Sequence, residues 1–253
     1  MNKKRILLKI GTNTLTKETD QISRGKIEDI ARQIAMLKDK YEFIIVSSGA
    51  IAAARQFVKL EHNGAEINVK QALAAIGQPH LMRIFQENFR ELGLLTSQCL
   101  LSYSDFEKVA SKVNICNTIN VLVSNNFIPI INENDTVATD EIQFGDNDKL
   151  AALTAALIKV DLLIIATNID GIYTKESIEN NNPETIKIVS NIEELQREVS
   201  GTKSSRGTGG MQSKIEAATI AKEAKIETWV VNGLKDNFII DALDNKSNFT
   251  KIK

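Results

Sequence analysis

Short apolar runs alternate with longer segments of mixed polarity along most of the chain. Five runs have the length of a strand, at residues 6–10 (ILLKI), 43–47 (FIIVS), 126–131 (NFIPII), 161–167 (DLLIIAT) and 227–231 (ETWVV), and residues 96–102 (TSQCLLS) predict a sixth. Most of these runs are continuously apolar rather than alternating, which is typical of strands that are buried on both faces of a parallel sheet.

Helical patterns occupy the intervals between the predicted strands. They cover residues 25–38, 50–58, 70–92, 106–124, 147–159, 192–200 and 211–224. Strands that alternate with helices predict an α/β fold in which a parallel sheet packs between helices. No internal repeat or long linker divides the chain, and the polar residues 175–183 predict a surface excursion. A length of 253 residues suits one large domain or two small ones.

The composition argues against several classes of protein. With 31 lysines and arginines against 32 aspartates and glutamates, the net charge is −1, so neither nucleic acid nor a membrane is an expected partner. The longest apolar helical stretch, residues 150–160, is too short to span a bilayer. The two cysteines, Cys99 and Cys116, lack metal-ligand spacing and indicate a reducing cytoplasm. Lys9 interrupts the first apolar run, which argues against a signal peptide.

Two glycines directly follow predicted strands, Gly11 after the first and Gly49 after the second. In open α/β sheets, ligands bind where the carboxyl ends of the strands meet, so both glycines lie at the expected ligand site. The G-x-G-x-x-G pattern follows neither strand, which argues against a nicotinamide or flavin enzyme. Residues 47–53 (SSGAIAA) fit either an anion site at a helix N-terminus or ordinary N-capping by Ser47 or Ser48.

Charged residues of both signs surround these turns. Lys9 lies inside an apolar strand, where it either meets an anion or faces water from an edge strand. Residues 131–148 (INENDTVATDEIQFGDND) are acidic, so they either attract a cation, such as an ammonium group or Mg²⁺, or form a solvated loop. Residues 204–214 (SSRGTGGMQSK) place three glycines before a predicted helix and Lys214 in its first turn. A lysine there opposes the helix dipole unless an anion is bound; the alternative is a flexible loop with a solvated lysine.

Two lysines, two glycine turns and one acidic segment are therefore expected at one edge of a parallel sheet. Lysines and glycine loops suit a nucleotide polyphosphate, and carboxylates suit Mg²⁺ and a substrate ammonium group. Because phosphoryl transfer requires mostly positioning and charge neutralisation, this combination favours a kinase. The two histidines, His62 and His80, are not paired at metal-ligand spacing, so zinc is not expected.

Five segments resemble, in order, the motifs of the glutamate 5-kinases in the amino acid kinase family. They are residues 9–16 (KIGTNTLT), 45–54 (IVSSGAIAAA), 131–148, 167–174 (TNIDGIYT) and 207–214 (GTGGMQSK). The resemblance implies the amino acid kinase fold, a three-layer αβα sandwich with a central, mostly parallel sheet, as a single domain over residues 1–253. Acetylglutamate kinase and UMP kinase, from the same family, are alternatives, and a catalytically inactive amino acid or nucleotide sensor is another.

The resemblance also implies a reaction, the ATP-dependent phosphorylation of the γ-carboxylate of L-glutamate, with Mg²⁺ carried mainly by the ATP phosphates. The implied catalytic residues are Lys9 and Lys214, which neutralise the transferring phosphoryl group, and Asp148, which holds the two lysines in place. The implied glutamate-binding residues are Ser48, Gly49, Asn134, Asp135, Asp146 and Asn147. The implied ATP-binding residues are Lys9, Gly11, Thr167, Asn168, Thr208, Gly209, Gly210, Met211 and Lys214.

Two departures from the family pattern bear on function. Asn168 stands where many relatives have an aspartate. Many relatives also carry a C-terminal PUA domain, and the residues that follow the kinase motifs here are too few to form one, so none is expected. The resemblance further implies a homo-oligomer, either a dimer or a tetramer, and feedback inhibition by proline, for which residues 60–69 are the candidate segment.

Overall fold

A computed structural model of the protein describes residues 3–60, 66–138, 147–199 and 210–253. The strands in these residues are β1 (Lys4–Ile10), β2 (Tyr41–Ser47), β3 (Leu95–Leu101), β4 (Phe127–Glu133), β5 (Leu162–Thr167), β6 (Ile188–Val189), β7 (Glu227–Asn232) and β8 (Thr250–Ile252). They form one sheet in the order β3-β4-β2-β1-β5-β7-β8-β6. Neighbouring strands are parallel except β7 and β8, which are antiparallel. The sheet is therefore mostly parallel, as expected.

Helices cover both faces of this sheet. They are α1 (Thr12–Thr16), α2 (Arg24–Leu37), α3 (Ala50–Arg55), α4 (Ile67–Glu91), α5 (Val109–Ser124), α6 (Asp148–Ile158), α7 (Lys175–Glu179), α8 (Ile192–Val199), α9 (Met211–Glu223) and α10 (Phe238–Leu243), with a 3₁₀ turn at Tyr103–Phe106. None of the described helices combines the length and the apolar character that a membrane-spanning helix needs.

Helix α2 shows how the sequence builds one of these layers. The side chain of Ser23 caps the helix by accepting a hydrogen bond from the backbone N–H of Lys26, at 3.2 Å. Buried isoleucines then recur at helical spacing, at positions 27, 30 and 34, so a single apolar stripe faces the sheet.

Alternate residues of β1 point into different layers, as the two-residue period of a strand requires. Leu8 packs in an apolar cluster with residues of α2, α4 and α10, whereas Leu7 packs in a second cluster with residues of α5, α6 and α9. These two clusters lie on opposite faces of the sheet. The predicted three-layer αβα arrangement is therefore confirmed.

The six predicted strands and seven predicted helices are all confirmed, with ends that differ from the predictions by up to three residues. Five short elements were not predicted: α1, α7, α10, β6 and β8. Each is short, with two to six residues, and gives only a weak hydrophobic period. Helix α7 falls within the residues that were expected to form a surface excursion.

Candidate active site

Lys9 lies near the carboxyl end of β1, in the middle of the sheet. Because β1 pairs with β2 on one side and β5 on the other, the alternative that Lys9 faces water from an edge strand is wrong. Its side chain is buried, with 4% of the residue exposed. A lysine at this depth needs an anionic partner.

That partner is Asp148. The ammonium nitrogen of Lys9 lies 2.6 Å from Oδ1 of Asp148, and that of Lys214 lies 2.9 Å from Oδ2. Asp148 is completely buried and Lys214 is 7% exposed. The alternative in which Lys214 is a solvated lysine is therefore wrong. One carboxylate holds two ammonium groups from opposite ends of the sequence.

Two helix N-termini create this arrangement. Asp148 is the first residue of α6, where a negative charge complements the helix dipole, and Lys214 lies in the first turn of α9, where a positive charge opposes it. Burial alone would raise the pKa of Asp148, but the ammonium groups of Lys9 and Lys214 outweigh it and hold this pKa below its ordinary value. The carboxyl group is therefore ionised at neutral pH.

Ser213 is a further contact of Asp148 that was not predicted from the sequence. Its hydroxyl lies 3.2 Å from Oδ2 of Asp148 and donates a 2.7 Å hydrogen bond to the carbonyl oxygen of Gly210. The only signal in the sequence is its position directly before Lys214, on a helix that starts at a glycine-rich loop.

The turn after β2 brings Ser48 and Gly49 to the same edge of the sheet. The backbone N–H of Ser48 donates to the carbonyl of Ile10 at 3.1 Å, which joins the ends of β1 and β2. Gly49 occupies the N-cap position of α3 with a φ of 102°, a conformation that favours glycine, and no side chain caps the helix. The hydroxyl of Ser47 donates instead to the carbonyl of Ser48. The N-capping alternative for Ser47 or Ser48 is therefore wrong.

Asp135 and Asn147, two residues of the predicted glutamate site, are both buried. Nδ2 of Asn147 donates to the carbonyl of Ser47 at 2.9 Å and to Oδ1 of Asn132 at 2.7 Å. Oδ1 of Asn147 and Oδ1 of Asp135 are buried acceptors for which the described part of the chain provides no hydrogen bond. Burial raises the pKa of Asp135 to about 6. Two buried acceptors that lack a donor fit a ligand with N–H groups.

Asn134 and Asp146 are the remaining residues of the predicted glutamate site, and no side-chain hydrogen bond is described for either. The hydrogen bonds described for Asn134 are formed by its backbone. Its N–H donates to the carbonyl of Leu101 at 2.7 Å, and its carbonyl accepts from the N–H groups of Val137 at 3.0 Å and Ala138 at 2.9 Å. They shape the turn after β4. Asp146 lies outside the described residues.

The predicted nucleotide-binding residues lie on three elements. Gly11 is the N-cap residue of α1, and a Cβ atom there would lie 3.4 Å from the ammonium nitrogen of Lys9. Thr167 ends β5, and Nδ2 of the next residue, Asn168, donates to Oε1 of Glu18 at 2.9 Å rather than contacting the lysine pair. Gly210 and Met211 begin α9. Thr208 and Gly209 lie outside the described residues, as does Arg206.

No metal-binding cluster of three or more His, Cys, Asp or Glu side chains occurs in residues 3–60, 66–138, 147–199 and 210–253. The predicted site residues thus include two ammonium groups held by one carboxylate and two buried acceptors, on Asp135 and Asn147, that have no described donor. Such a site can bind anions and one amine.

Comparison with known proteins places this site in a family. The model of the amino acid kinase family matches residues 4–232. The chain is 40% identical to a glutamate 5-kinase of Neisseria meningitidis (serogroup A) over 98% of its own length and 68% of that protein. The chain belongs to the amino acid kinase family, among its glutamate 5-kinases. The prediction of a kinase of this family is confirmed.

Other members of the family agree with this placement. The chain is 39% identical to a glutamate 5-kinase of Neisseria gonorrhoeae, covering 98% of the chain and 85% of the relative. It is 41% identical to one of Streptococcus pneumoniae (strain Hungary19A-6), covering 96% of the chain and 67% of the relative.

Solved structures of the family share the fold. A UMP kinase from Ureaplasma parvum superposes with a TM-score of 0.68 at 20% identity, covering 100% of both chains. A carbamate kinase from Giardia lamblia, bound to AMP-PNP, superposes with a TM-score of 0.69 at 15% identity, covering 99% of this chain and 98% of the other. The predicted amino acid kinase fold is therefore confirmed.

Proposed function

We propose that this protein transfers the γ-phosphoryl group of ATP to the γ-carboxylate of L-glutamate, forming γ-glutamyl phosphate and ADP, the first step of proline biosynthesis. The observation that carries the proposal is the pair of lysines, Lys9 and Lys214, held 2.6 and 2.9 Å from the buried carboxylate of Asp148. The relatives from Neisseria and Streptococcus described above bear the name of this activity.

The chemistry matches the residues available. The nucleophile is a carboxylate with a pKa of about 4.3. It is already ionised at neutral pH, so no general base is required. A carboxylate oxygen of the substrate attacks the γ-phosphorus, and the bond from that phosphorus to the bridging oxygen breaks, leaving its electron pair on ADP. The main obstacle is repulsion between the anionic nucleophile and the anionic phosphate, and the ammonium groups of Lys9 and Lys214 reduce it.

Asp148 acts on the two lysines in this proposal. Because each of its oxygens binds one ammonium group, the carboxylate fixes the separation of the two positive charges. The two ammonium groups stand side by side in a buried site, where together they can bind an incoming phosphoryl group.

Glutamate binds on the other side of the transferring group. Its ammonium group donates to Oδ1 of Asp135 and Oδ1 of Asn147, two buried acceptors without described donors. Ser48, Gly49, Asn134 and Asp146 complete this pocket in the proposal, by the motif resemblance. An ionised Asp135 also provides the charge that complements an ammonium group.

ATP binds along the ends of β1, β5 and α9. Its contacts are Gly11, Thr167, Asn168 and the residues from 208 to 214, with Thr208 and Gly209 assigned by the motif resemblance alone. Mg²⁺ belongs to the proposal as the counter-ion of the ATP phosphates. The described side chains offer it no cluster of their own, so no step of the reaction is assigned to it.

Several further expectations extend the proposal. The protein acts in the cytoplasm as a homo-oligomer, a dimer or a tetramer, and proline inhibits it. The candidate segment for proline inhibition, residues 60–69, lies partly outside the described residues. Steady-state rates with and without proline, together with the mass of the purified protein in solution, test these expectations.

The proposed function has a direct test. The purified protein is supplied with MgATP and, separately, L-glutamate, acetylglutamate or UMP, and hydroxylamine traps any acyl phosphate as a hydroxamate. We expect hydroxamate and ADP with L-glutamate, at least about a hundredfold faster than with acetylglutamate. ATP binding without turnover of any of the three substrates would contradict the proposal and favour a sensor.

A further inference from the structure

A row of four side-chain amides connects the edge strand β3 with the N-terminus of α6. Nε2 of Gln78 donates to Oε1 of Gln98 at 3.1 Å, and Nδ2 of Asn132 donates to Oε1 of Gln78 at 2.9 Å. Nδ2 of Asn147 then donates to Oδ1 of Asn132 at 2.7 Å. Gln98 lies at the exposed end of the row, and the other three residues are buried.

The row has one direction, since every amide donates its N–H group toward Gln98 and accepts on the opposite side. At the inner end, the carbonyl of Ser47 accepts a second hydrogen bond from Nδ2 of Asn147. Both N–H groups of the Asn147 amide are therefore used within the protein. The remaining polar atom of this amide is Oδ1, which is buried without a described donor. The row thus fixes which end of the Asn147 amide is offered to a ligand.

The packing of α4 brings Gln78 within reach of Asn132. A Cβ atom on the preceding residue, Gly77, would lie 1.8 Å from the backbone carbonyl oxygen of Ala50, so only glycine lets α4 approach the start of α3 this closely. Gln78 occupies the buried face of α4 together with Leu81 and Phe85. A buried glutamine on an apolar helical face costs free energy unless it is hydrogen-bonded, and here both ends of its amide are bonded.

We propose that Gln78 is a positioning residue for substrate binding, which acts through Asn132 to keep Oδ1 of Asn147 turned toward the ammonium group of the amino acid. This inference rests on the proposed function, because it takes the ammonium group of L-glutamate as the ligand. The backbone N–H of Glu133 also donates to Oδ1 of Asn132, at 2.9 Å, so Gln78 and Glu133 together fix the amide of Asn132. Without the acceptor of Gln78, a buried N–H group of Asn132 loses its partner and this amide is held from one side only. Asn132 then orients Asn147 less firmly, and rotation of the Asn147 amide would present an N–H donor to the ammonium group, which repels it.

The substitution Gln78→Met removes the acceptor and keeps a side chain of similar length. We expect the KM for L-glutamate to rise about tenfold or more, while the KM for ATP and kcat at saturating glutamate stay within about twofold. Gln78→Glu retains an acceptor for Asn132, and we expect it to restore most of the affinity for glutamate. A purely structural role would lower kcat and raise both KM values together.

Gln33→Met is the matched control. Gln33 is likewise a buried glutamine with both ends of its amide bonded, to Oδ2 of Asp29 and to the N–H of Ile239, but it lies on α2. We expect it to lower the thermal stability without changing the KM for glutamate. An equal rise in KM for Gln33→Met and Gln78→Met would overturn the inference, as would an unchanged KM in Gln78→Met.

A second variant decides the question if Gln78→Met does not fold. Gln98→Met removes the outer acceptor from an exposed side chain, and a rise of a few-fold in the KM for glutamate supports the inference, whereas no rise overturns it. A wild-type protein that turns over no glutamate overturns the proposed function, and the inference falls with it. Wild-type activity combined with normal KM values in the variants overturns the inference alone.

Discussion

The ammonium nitrogen of Lys9 lies 2.6 Å from one carboxylate oxygen of Asp148, in a position where the carboxylate has no access to solvent. The other oxygen binds Lys214 at 2.9 Å. Both lysines are buried, and the carboxylate lowers the free-energy cost of burying their charges. The same contact sets where the two positive charges stand relative to a bound phosphate.

The substitution Asp148→Asn tests this dependence. Since it removes the carboxylate that both buried ammonium groups bind, we expect the free energy of unfolding to fall by about 3–5 kcal/mol. We also expect kcat to fall roughly 10²–10³-fold, because the lysines no longer hold their separation. Urea unfolding and steady-state rates measure the two effects. The control Asp244→Asn removes an exposed ion pair with Lys246 and should change neither quantity noticeably.

Asp135 predicts how glutamate binding depends on pH. Because burial raises its pKa to about 6, the carboxyl group of the free protein becomes neutral as the pH falls through this value. A neutral carboxyl attracts an ammonium group weakly, so kcat/KM for glutamate should fall about tenfold per pH unit below 6. Bound glutamate stabilises the ionised form, so the decline of kcat should begin at a lower pH. A flat kcat/KM between pH 5 and 7 would contradict the assignment.

The same pKa has a consequence for stability. Folding raises the pKa of Asp135 from its ordinary value of 3.8 to about 6. The protonated group therefore stabilises the fold fully below pH 3.8, and this contribution is lost as the pH rises through about 6. The substitution Asp135→Asn should therefore stabilise the free protein at pH 8 by about 1–2 kcal/mol, while it weakens glutamate binding. Urea unfolding at pH 5 and pH 8 checks the sign. A variant with a lower free energy of unfolding than the wild type at pH 8 would show that the ionised carboxylate of Asp135 does not destabilise the fold.

Replacement by alanine is expected to have opposite effects on stability at Gly77, which is tightly packed, and at Gly25, which is in open space. Gly77→Ala places a methyl group against the carbonyl of Ala50, so we expect a loss of about 1–3 kcal/mol in unfolding free energy and a higher KM for glutamate. Gly25→Ala, in the first turn of α2, meets no atom within 4 Å and should be neutral or stabilising by up to about 1 kcal/mol. Equal stabilities of the two variants would show that α4 moves away from α3 without cost.

The sequence predicts the sheet and the lysine pair well, and the physical reason is the strength of the local signals. Continuous apolar runs mark buried parallel strands, and Lys9 and Lys214 each violate a local rule, one inside a strand and one at the positive end of a helix. Such conflicts indicate a functional site. The contact between the two lysines through Asp148 has no local signal, because it joins β1, α6 and α9. Only the motif resemblance anticipates it.

The amide row is harder to predict. Gln78 follows Ala74 and precedes Leu81 and Phe85 at helical spacing, so a polar residue on an apolar face is visible in the sequence. Its partners are not visible, since Asn132 and Gln98 lie on other elements and pair with it only through the tertiary fold. The close approach at Gly77 likewise depends on α3, a separate element, so no signal around Gly77 shows it.

Asn168, which stands where many relatives have an aspartate, forms a side-chain hydrogen bond with Glu18. Nδ2 of Asn168 donates to Oε1 of Glu18 at 2.9 Å, so an aspartate here would place two negative charges side by side. We expect Asn168→Asp to raise the KM for ATP about two- to fivefold at low salt, and less at high salt because salt screens the repulsion. Adding Glu18→Gln should restore the KM. A lower KM for ATP in Asn168→Asp alone would contradict the role given to this pair.

The central claim is that Lys9 and Lys214, held by Asp148, neutralise charge during phosphoryl transfer to a carboxylate. The most direct test is the rate of hydroxamate formation by Lys214→Ala at saturating L-glutamate and MgATP. The predicted result is a fall in kcat of roughly 10²-fold or more, with a folded protein by circular dichroism. Turnover close to that of the wild type under the same conditions would contradict the claim.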